Sequence, residues 1–333
     1  MFLMGNWKGG VMVMLQEQLN LNLNGKAAEI LNKMLGQKEL LSINLHTLEN
    51  GCRLIDAGIN CGGSWEAGKC FAEATLGGTG SIYFQMIDYG DFNLPGLTVT
   101  VNRPVEGCLA AQYAGWSIQR DGFFAMGSGP ARCLSSREEL FKVINYQEKS
   151  SCAVLALEGR QLPQAALAAH LAEKCKIDPQ NLWLIIAPTA SLVGSIQVSA
   201  RVVETGLHKM KELGFDVYNV LSGMGCCPVA PVAEDDGKAI GRTNDCVLYG
   251  GDVYYTVNAK DSEIEELIER MPSSASGEYR QPFYRILKKF NWDFYAIDPL
   301  LFSPARVVIN NLQSGRIFRA GSVDREMLRR SMA

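Results

Sequence analysis

Apolar residues in this chain recur in two rhythms. Short continuous runs, Ala153 to Leu157 and Leu182 to Ile186, predict strands buried on both faces. Helical spacing appears in Gly25 to Leu41, through Ala28, Ile30, Leu31, Met34 and Leu35, and again in Gln164 to Lys174. From Ser195 onward, Ile196, Val203, Leu207 and Met210 keep the same spacing and predict a helix with one face in a core. Ser42 to Leu48 and Cys52 to Ala57 read as strands joined through Asn50-Gly51, a hairpin signal. Ser81 to Tyr89, Leu97 to Val101, Asp216 to Leu221, Cys246 to Tyr249, Val253 to Val257, Phe294 to Pro299 and Arg306 to Ile309 also read as extended. Asp261 to Arg270 and Pro282 to Phe290 read as helices, and a last strand and helix follow Gln313-Ser314-Gly315.

Glycine-rich stretches separate these elements. Gly58 to Gly80, Ser222 to Pro228 and Gly241 to Asp245 are expected as loops, with backbone held close to another element or a ligand. Gly127-Ser128-Gly129-Pro130, followed by Arg132, is a tight turn or an anion-facing row of backbone donors. It has the spacing of neither a P-loop nor a dinucleotide fingerprint. Strands and helices mix without a strict βαβ rhythm. The expected fold class is therefore α+β (mixed α/β), with mixed sheets. A chain of 333 residues favours two domains. The expected division falls near Glu158 to Pro163, giving an N-terminal α/β domain over 26–160 and a C-terminal one over 161–333.

Composition narrows the function. Net charge is −3 and no basic block stands out, so neither a nucleic-acid nor a membrane-surface role is indicated. No run approaches the ~18 apolar residues of a membrane span, and a cytoplasmic location is expected. The ten cysteines show no C-x-x-C pair and no zinc spacing with the three histidines, so free thiols and no metal are expected. Residues 1–25 read as an atypical extension. In it, Lys8-Gly9-Gly10 suggests a translated ribosome-binding stretch, with Met12 or Met14 as the start.

Arg201 and Glu204, three apart, share one face of the helix after Leu182 to Ile186, and His208 and Lys211 continue that row. One reading is a solvated ion pair worth ~0.3 kcal/mol. The other is a guanidinium and a carboxylate aimed into a cleft. The surrounding residues favour the second. Ala114-Gly115-Trp116, Phe124 to Arg132 (FAMGSGPAR), Ala187 to Gln197 (APTASLVGSIQ), Arg201 to Thr205, Thr243-Asn244-Asp245, Pro282-Phe283-Tyr284 and Asp293 to Pro299 together make the chain resemble the methenyltetrahydromethanopterin cyclohydrolase family. That family serves one-carbon metabolism in methanogenic archaea and methylotrophic bacteria. The likeness runs from Lys26 to Ala320. It implies two α/β-type domains flanking a deep pocket, a homo-oligomer (often a trimer) and no metal or dissociable cofactor. The catalytic pair falls on Arg201 and Glu204. Tyr113 departs from the lysine of many archaeal relatives.

The substrate so implied is a cation, with a one-carbon unit bridging N5 and N10 of the pterin carrier, tetrahydromethanopterin or its dephospho form. Its charge activates the carbon, and a carboxylate within reach of a water can take the proton. Glu204 is the expected base. Arg201 would favour its ionised form against burial and orient it through the guanidinium fork. Thr189, Ser191, Ser195, Gly127, Ser128, Gly129, Asn244, Asp245 and Tyr113 are the expected substrate contacts, although a turn or cap role fits several of them equally well. Two rivals remain: a pterin-binding protein without catalysis, and a phosphate-ester hydrolase using the Gly-Ser-Gly loop, which would call for metal ligands.

Overall fold

The computed structural model describes residues 21–332. The expected non-native start lies outside the described residues. In α1 (Leu23–Leu35), Leu23, Ala27, Leu31 and Met34 are buried at helical spacing. α2 (Lys38–Leu41) leads into β1 (Asn44–Thr47) and β2 (Arg53–Asp56), the antiparallel hairpin turned at Asn50-Gly51, with Gly51 at φ 82°. Next come α3 (Trp65–Thr75), β3 (Gly80–Asp88) and β4 (Asn93–Val101). A π-helical segment, Val105–Gln112, precedes β5 (Trp116–Arg120), β6 (Phe123–Ser128), α4 (Ala131–Ser135), α5 (Glu139–Ile144) and β7 (Ala153–Glu158). The chain continues through α6 (Ala165–Cys175), β8 (Leu182–Ala187), α7 (Leu192–Ser199), α8 (Val202–Glu212), β9 (Val220–Pro228) and α9 (Asp236–Gly250). It ends with β10 (Asp252–Val257), α10 (Asp261–Leu267), α11 (Phe283–Lys289), β11 (Arg306–Asn311), β12 (Ile317–Gly321) and α12 (Arg325–Met332).

The expected α+β class is what the chain adopts, in two mixed six-stranded sheets. The first runs β1-β2-β8-β7-β6-β5, with β2, β8 and β7 parallel. Val154 and Ile185 face Leu31 of α1 and Phe71 of α3, while Leu155 and Leu184 face Leu167 and Leu171 of α6. Burial on both faces explains the unbroken apolar runs of β7 and β8. The second sheet runs β12-β11-β10-β9-β4-β3. Val203 and Leu207 of α8 pack on its inner face against Val99, Val253 and Tyr255. Its outer face leaves Tyr83, Met224, Tyr254 and Ile317 exposed. Each sheet takes strands from both sides of 158–163. Those residues open the β7–α6–β8 crossover that parallel pairing requires, so a boundary there does not separate the sheets.

Several stretches expected as loops are regular. Gly58 to Gly80 contains α3, capped by Ser64, whose hydroxyl accepts from Ala67 N at 3.1 Å. Ser222 to Pro228 is the body of β9. Its glycines admit α8: a Cβ on Gly223 would lie 2.6 Å from Val203 Cγ1, and one on Gly225 2.7 Å from Val202 Cγ1. Gly241 to Asp245, expected as a loop, and Cys246 to Tyr249, expected as a strand, are consecutive turns of α9. Asp235 starts that helix by accepting from Lys238 N at 2.8 Å. Phe294 to Pro299, expected extended, holds the short 3-10 turn Phe294–Ala296 and the start of another, Pro299–Leu301. Asp216 to Leu221 begins with the 3-10 turn Val217–Asn219 and becomes strand only at Val220. Among the described residues, no helix is long and apolar enough to cross a membrane.

Candidate active site

The segment after β8 supplies the candidate chemistry. Ser191 caps α7, accepting from Gly194 N at 2.9 Å and donating to Pro188 O at 2.7 Å. α7 ends at Ser199, and Arg201 occupies the cap position of α8. Glu204 sits in the first turn of α8, where the helix dipole favours a negative charge. One continuous helix was expected; the structure breaks it just where the two candidate residues stand.

Arg201 is half-buried, and its fork spends itself on neutral acceptors. Nε and Nη2 donate to Gln197 Oε1 at 3.1 and 2.9 Å, Nη2 to Ser128 Oγ at 3.1 Å, and Nη1 to the carbonyl of Gln112. No Arg201–Glu204 ion pair forms, nor does the guanidinium grip the carboxylate as expected. Gln112 ends the π-helical segment, whose last carbonyls have no partner within the helix. Arg201 takes the carbonyl of Gln112, while Arg132 takes those of Leu109, Ala110 and Ala111 at 3.0, 3.0 and 3.2 Å.

Glu204 is buried at 6 % exposure, and its carboxyl has no hydrogen-bond partner among the described residues. Burial pushes its pKa up to about 7, against the pull of Arg201 and, less strongly, of Arg132. The cation therefore acts in the expected direction, and desolvation outweighs it. One helical turn on, His208 stacks on Tyr113 with ring centroids 4.9 Å apart. Burial lowers its pKa.

The remaining candidates divide. Ser128 joins the cluster through Arg201, and Thr189 joins it by donating to Glu158 Oε1. Tyr113 borders it between His208 and the Arg132 guanidinium, 5.2 Å from its ring centroid. Ser195 is buried, and its hydroxyl has no partner. The Gly127 to Gly129 backbone is no anion cradle: Gly127 and Ser128 lie in β6 between β5 and β7, and Gly129 N donates to Ala111 O at 2.7 Å. Asn244 and Asp245 stand apart from the Arg201 hydrogen bonds. Asn244 Nδ2 donates to Ile240 O at 2.8 Å, while Asp245 accepts from Phe283 N at 2.8 Å and from the Ser331 hydroxyl.

Comparisons with known proteins give the family. A family model described as Cyclohydrolase (MCH) matches residues 22–332. The chain belongs to that cyclohydrolase family. It is 43 % identical to methenyltetrahydromethanopterin cyclohydrolase of Methanocaldococcus jannaschii, over 94 % of this chain and 98 % of that one. Identity to the same-named protein of Methanoculleus marisnigri is 42 %, over 93 % and 98 %. Identity to that of Methanothermobacter marburgensis is 43 %, over 93 % and 98 %.

In this cyclohydrolase three residues join the site that the sequence did not single out: Gln112, Glu158 and Gln197. Gln197 was within reach, since it stands four residues before Arg201 and so shares its face. Glu158 and Gln112 arrive only through tertiary contact. All ten cysteines are free. Among the described residues no three His, Cys, Asp or Glu side chains gather closely enough to hold a metal ion. Two surface cavities of about 290 Å³ each adjoin Lys38, Asn44 and Asn60, and Trp116, Arg120 and His170. Arg201 and Glu204 line neither.

Proposed function

We propose that the chain hydrolyses the N5,N10-methenyl-tetrahydromethanopterin cation to N5-formyl-tetrahydromethanopterin, reversibly, with Glu204 as general base. Water oxygen bonds to the amidinium carbon as its proton passes to Glu204. The C–N10 bond then breaks as Glu204 returns that proton to N10, and the remaining hydroxyl proton passes through Glu204 to solvent as the formyl C=O forms. One observation carries this reading: a buried carboxylate without a hydrogen-bond partner stands three residues from a cation that neutral acceptors hold. An unspent carboxylate favours a cationic substrate and can take a proton from water. Tyr113, Ser128, Thr189 and Ser195 are assigned to the pterin; Asn244 and Asp245 are left to the fold. The same reading includes a trimer in the cytoplasm, working in one-carbon metabolism with no dissociable cofactor. Sedimentation of the purified chain tests the trimer.

The deciding assay mixes the methenyl cation with protein at catalytic levels and follows its absorbance, with methenyl-tetrahydrofolate as comparison. Loss of the methenyl band supports hydrolysis. A shifted band that persists supports the non-catalytic pterin binder.

A further inference from the structure

Glu158 ends β7, and each of its oxygens has one partner. Oε1 accepts from the Thr189 hydroxyl, and Oε2 accepts from Gln197 Nε2 at 2.8 Å. Gln197 is buried at 2 % exposure, and its amide oxygen faces two N–H groups of Arg201. An amide has one donor end and one acceptor end. If Gln197 turned over, its NH2 would meet the guanidinium and its oxygen would meet the carboxylate, and both contacts would repel. The Glu158 carboxylate thus selects the amide orientation that Arg201 needs. β7, the loop after β8, and α7 meet at this relay, near the carboxyl ends of the parallel strands β7 and β8.

We propose that Glu158 is a positioning residue for the reaction: through Gln197 it holds the Arg201 guanidinium away from Glu204, so that the base stays unpaired. The proposal rests on the cyclohydrolase reading above. It assigns Glu158 no contact with substrate.

Three variants test it: Glu158→Leu, Gln197→Met and the two combined. The first removes the carboxylate that fixes the Gln197 amide. The second removes the amide that holds Nε and Nη2 of Arg201. Each single variant should lose about 10- to 100-fold in kcat, the scale of a misplaced group near the chemistry, with a smaller change in KM. The acid limb of kcat/KM should move to lower pH, because the released guanidinium closes on Glu204 and favours its ionised form. The two residues act in series, so the double variant should lose no more than the worse single one. A folded Glu158→Leu protein with wild-type kcat and pH midpoint overturns the proposal, and so does a double variant whose losses are the product of the single ones. If Glu158→Leu alone does not fold, Gln197→Met decides: lost kcat with the acid limb at lower pH supports the relay, and wild-type kcat or an unmoved limb overturns it. A wild-type protein that leaves the methenyl cation intact overturns the hydrolytic reading itself, and this inference with it.

Discussion

Two arginines sit on the same π-helical end and are used in opposite ways. Arg132 is fully buried and grips the Glu138 carboxylate through Nε, at 2.8 Å, and Nη2, with Nη1 on three carbonyls. Cation and anion cancel, and the donors are consumed; the result is a structural clasp. Arg201 takes the next carbonyl but pairs with no carboxylate. Its charge remains, and so does the reactivity of Glu204. A guanidinium closed by an acid builds structure, and one closed by neutral acceptors leaves its field for chemistry.

Two buried acids repeat the contrast. Glu204 and Asp245 are both pushed up to about 7 by burial. Asp245 spends its oxygens on Phe283 N and the Ser331 hydroxyl, tying α9 to the α11 and α12 segments. Glu204 spends neither.

The largest expected effect is on turnover. Glu204→Gln should lose about 10²- to 10⁴-fold in kcat, the usual worth of a general base, while pterin binding by fluorescence titration persists. Near-wild-type turnover in the folded variant would remove Glu204 from the base role. Next is the clasp. Arg132→Met should cost about 3 kcal/mol in denaturant melts, since it strands a half-buried carboxylate and takes the donor from three carbonyls. Arg201→Gln strands no paired acid, so it should cost less stability and mainly turnover. Equal stability losses would erase the distinction between the two arginines. Arg201→Lys keeps charge without the fork, and an unimpaired lysine variant would show that geometry there is unimportant.

The pH predictions are smaller. Between pH 4.5 and about 7 the folded chain keeps the Glu204 proton that the unfolded chain releases. Stability therefore falls as pH rises through that window, and Glu204→Gln should remove the fall, on the order of 3 kcal/mol at most. Asp245→Asn should flatten the corresponding fall between 3.8 and about 7, with less net gain because Ser331 must turn to accept. Activity should run the other way, with kcat/KM rising through a midpoint near 7 as the free protein's Glu204 ionises. Melts whose pH dependence is unchanged by Glu204→Gln would deny the buried proton. The smallest effect belongs to Ser195→Ala, which removes a buried hydroxyl without a partner and should change stability by less than about 1 kcal/mol.

Apolar rhythm made the core elements legible. α1, the β1–β2 hairpin, β7, α6 and β8 all stand where the spacing put them, because the side chains that carry the rhythm face the core. Ile196, Val203, Leu207 and Met210 are each fully buried, as expected. Glycine misled. Gly68, Gly223 and Gly225 looked like loop punctuation, yet each lies inside a helix or strand where a neighbour leaves no room for a Cβ. At Gly68 that neighbour is Ile196 Cδ1, 2.6 Å from the Cβ position. All three glycines make space for α7 or α8.

The sequence by itself determined the core elements, the family and the Arg201–Glu204 pair, because periodicity, long motifs and helical spacing are local properties of the chain. Only the tertiary structure decided what the pair does at rest. The partners of Arg201 come from residues 112, 128 and 197, and Glu158, which orients Gln197, comes from a different strand. Whether a guanidinium meets a carboxylate or an amide depends on which strands lie side by side, and no spacing along the chain encodes that.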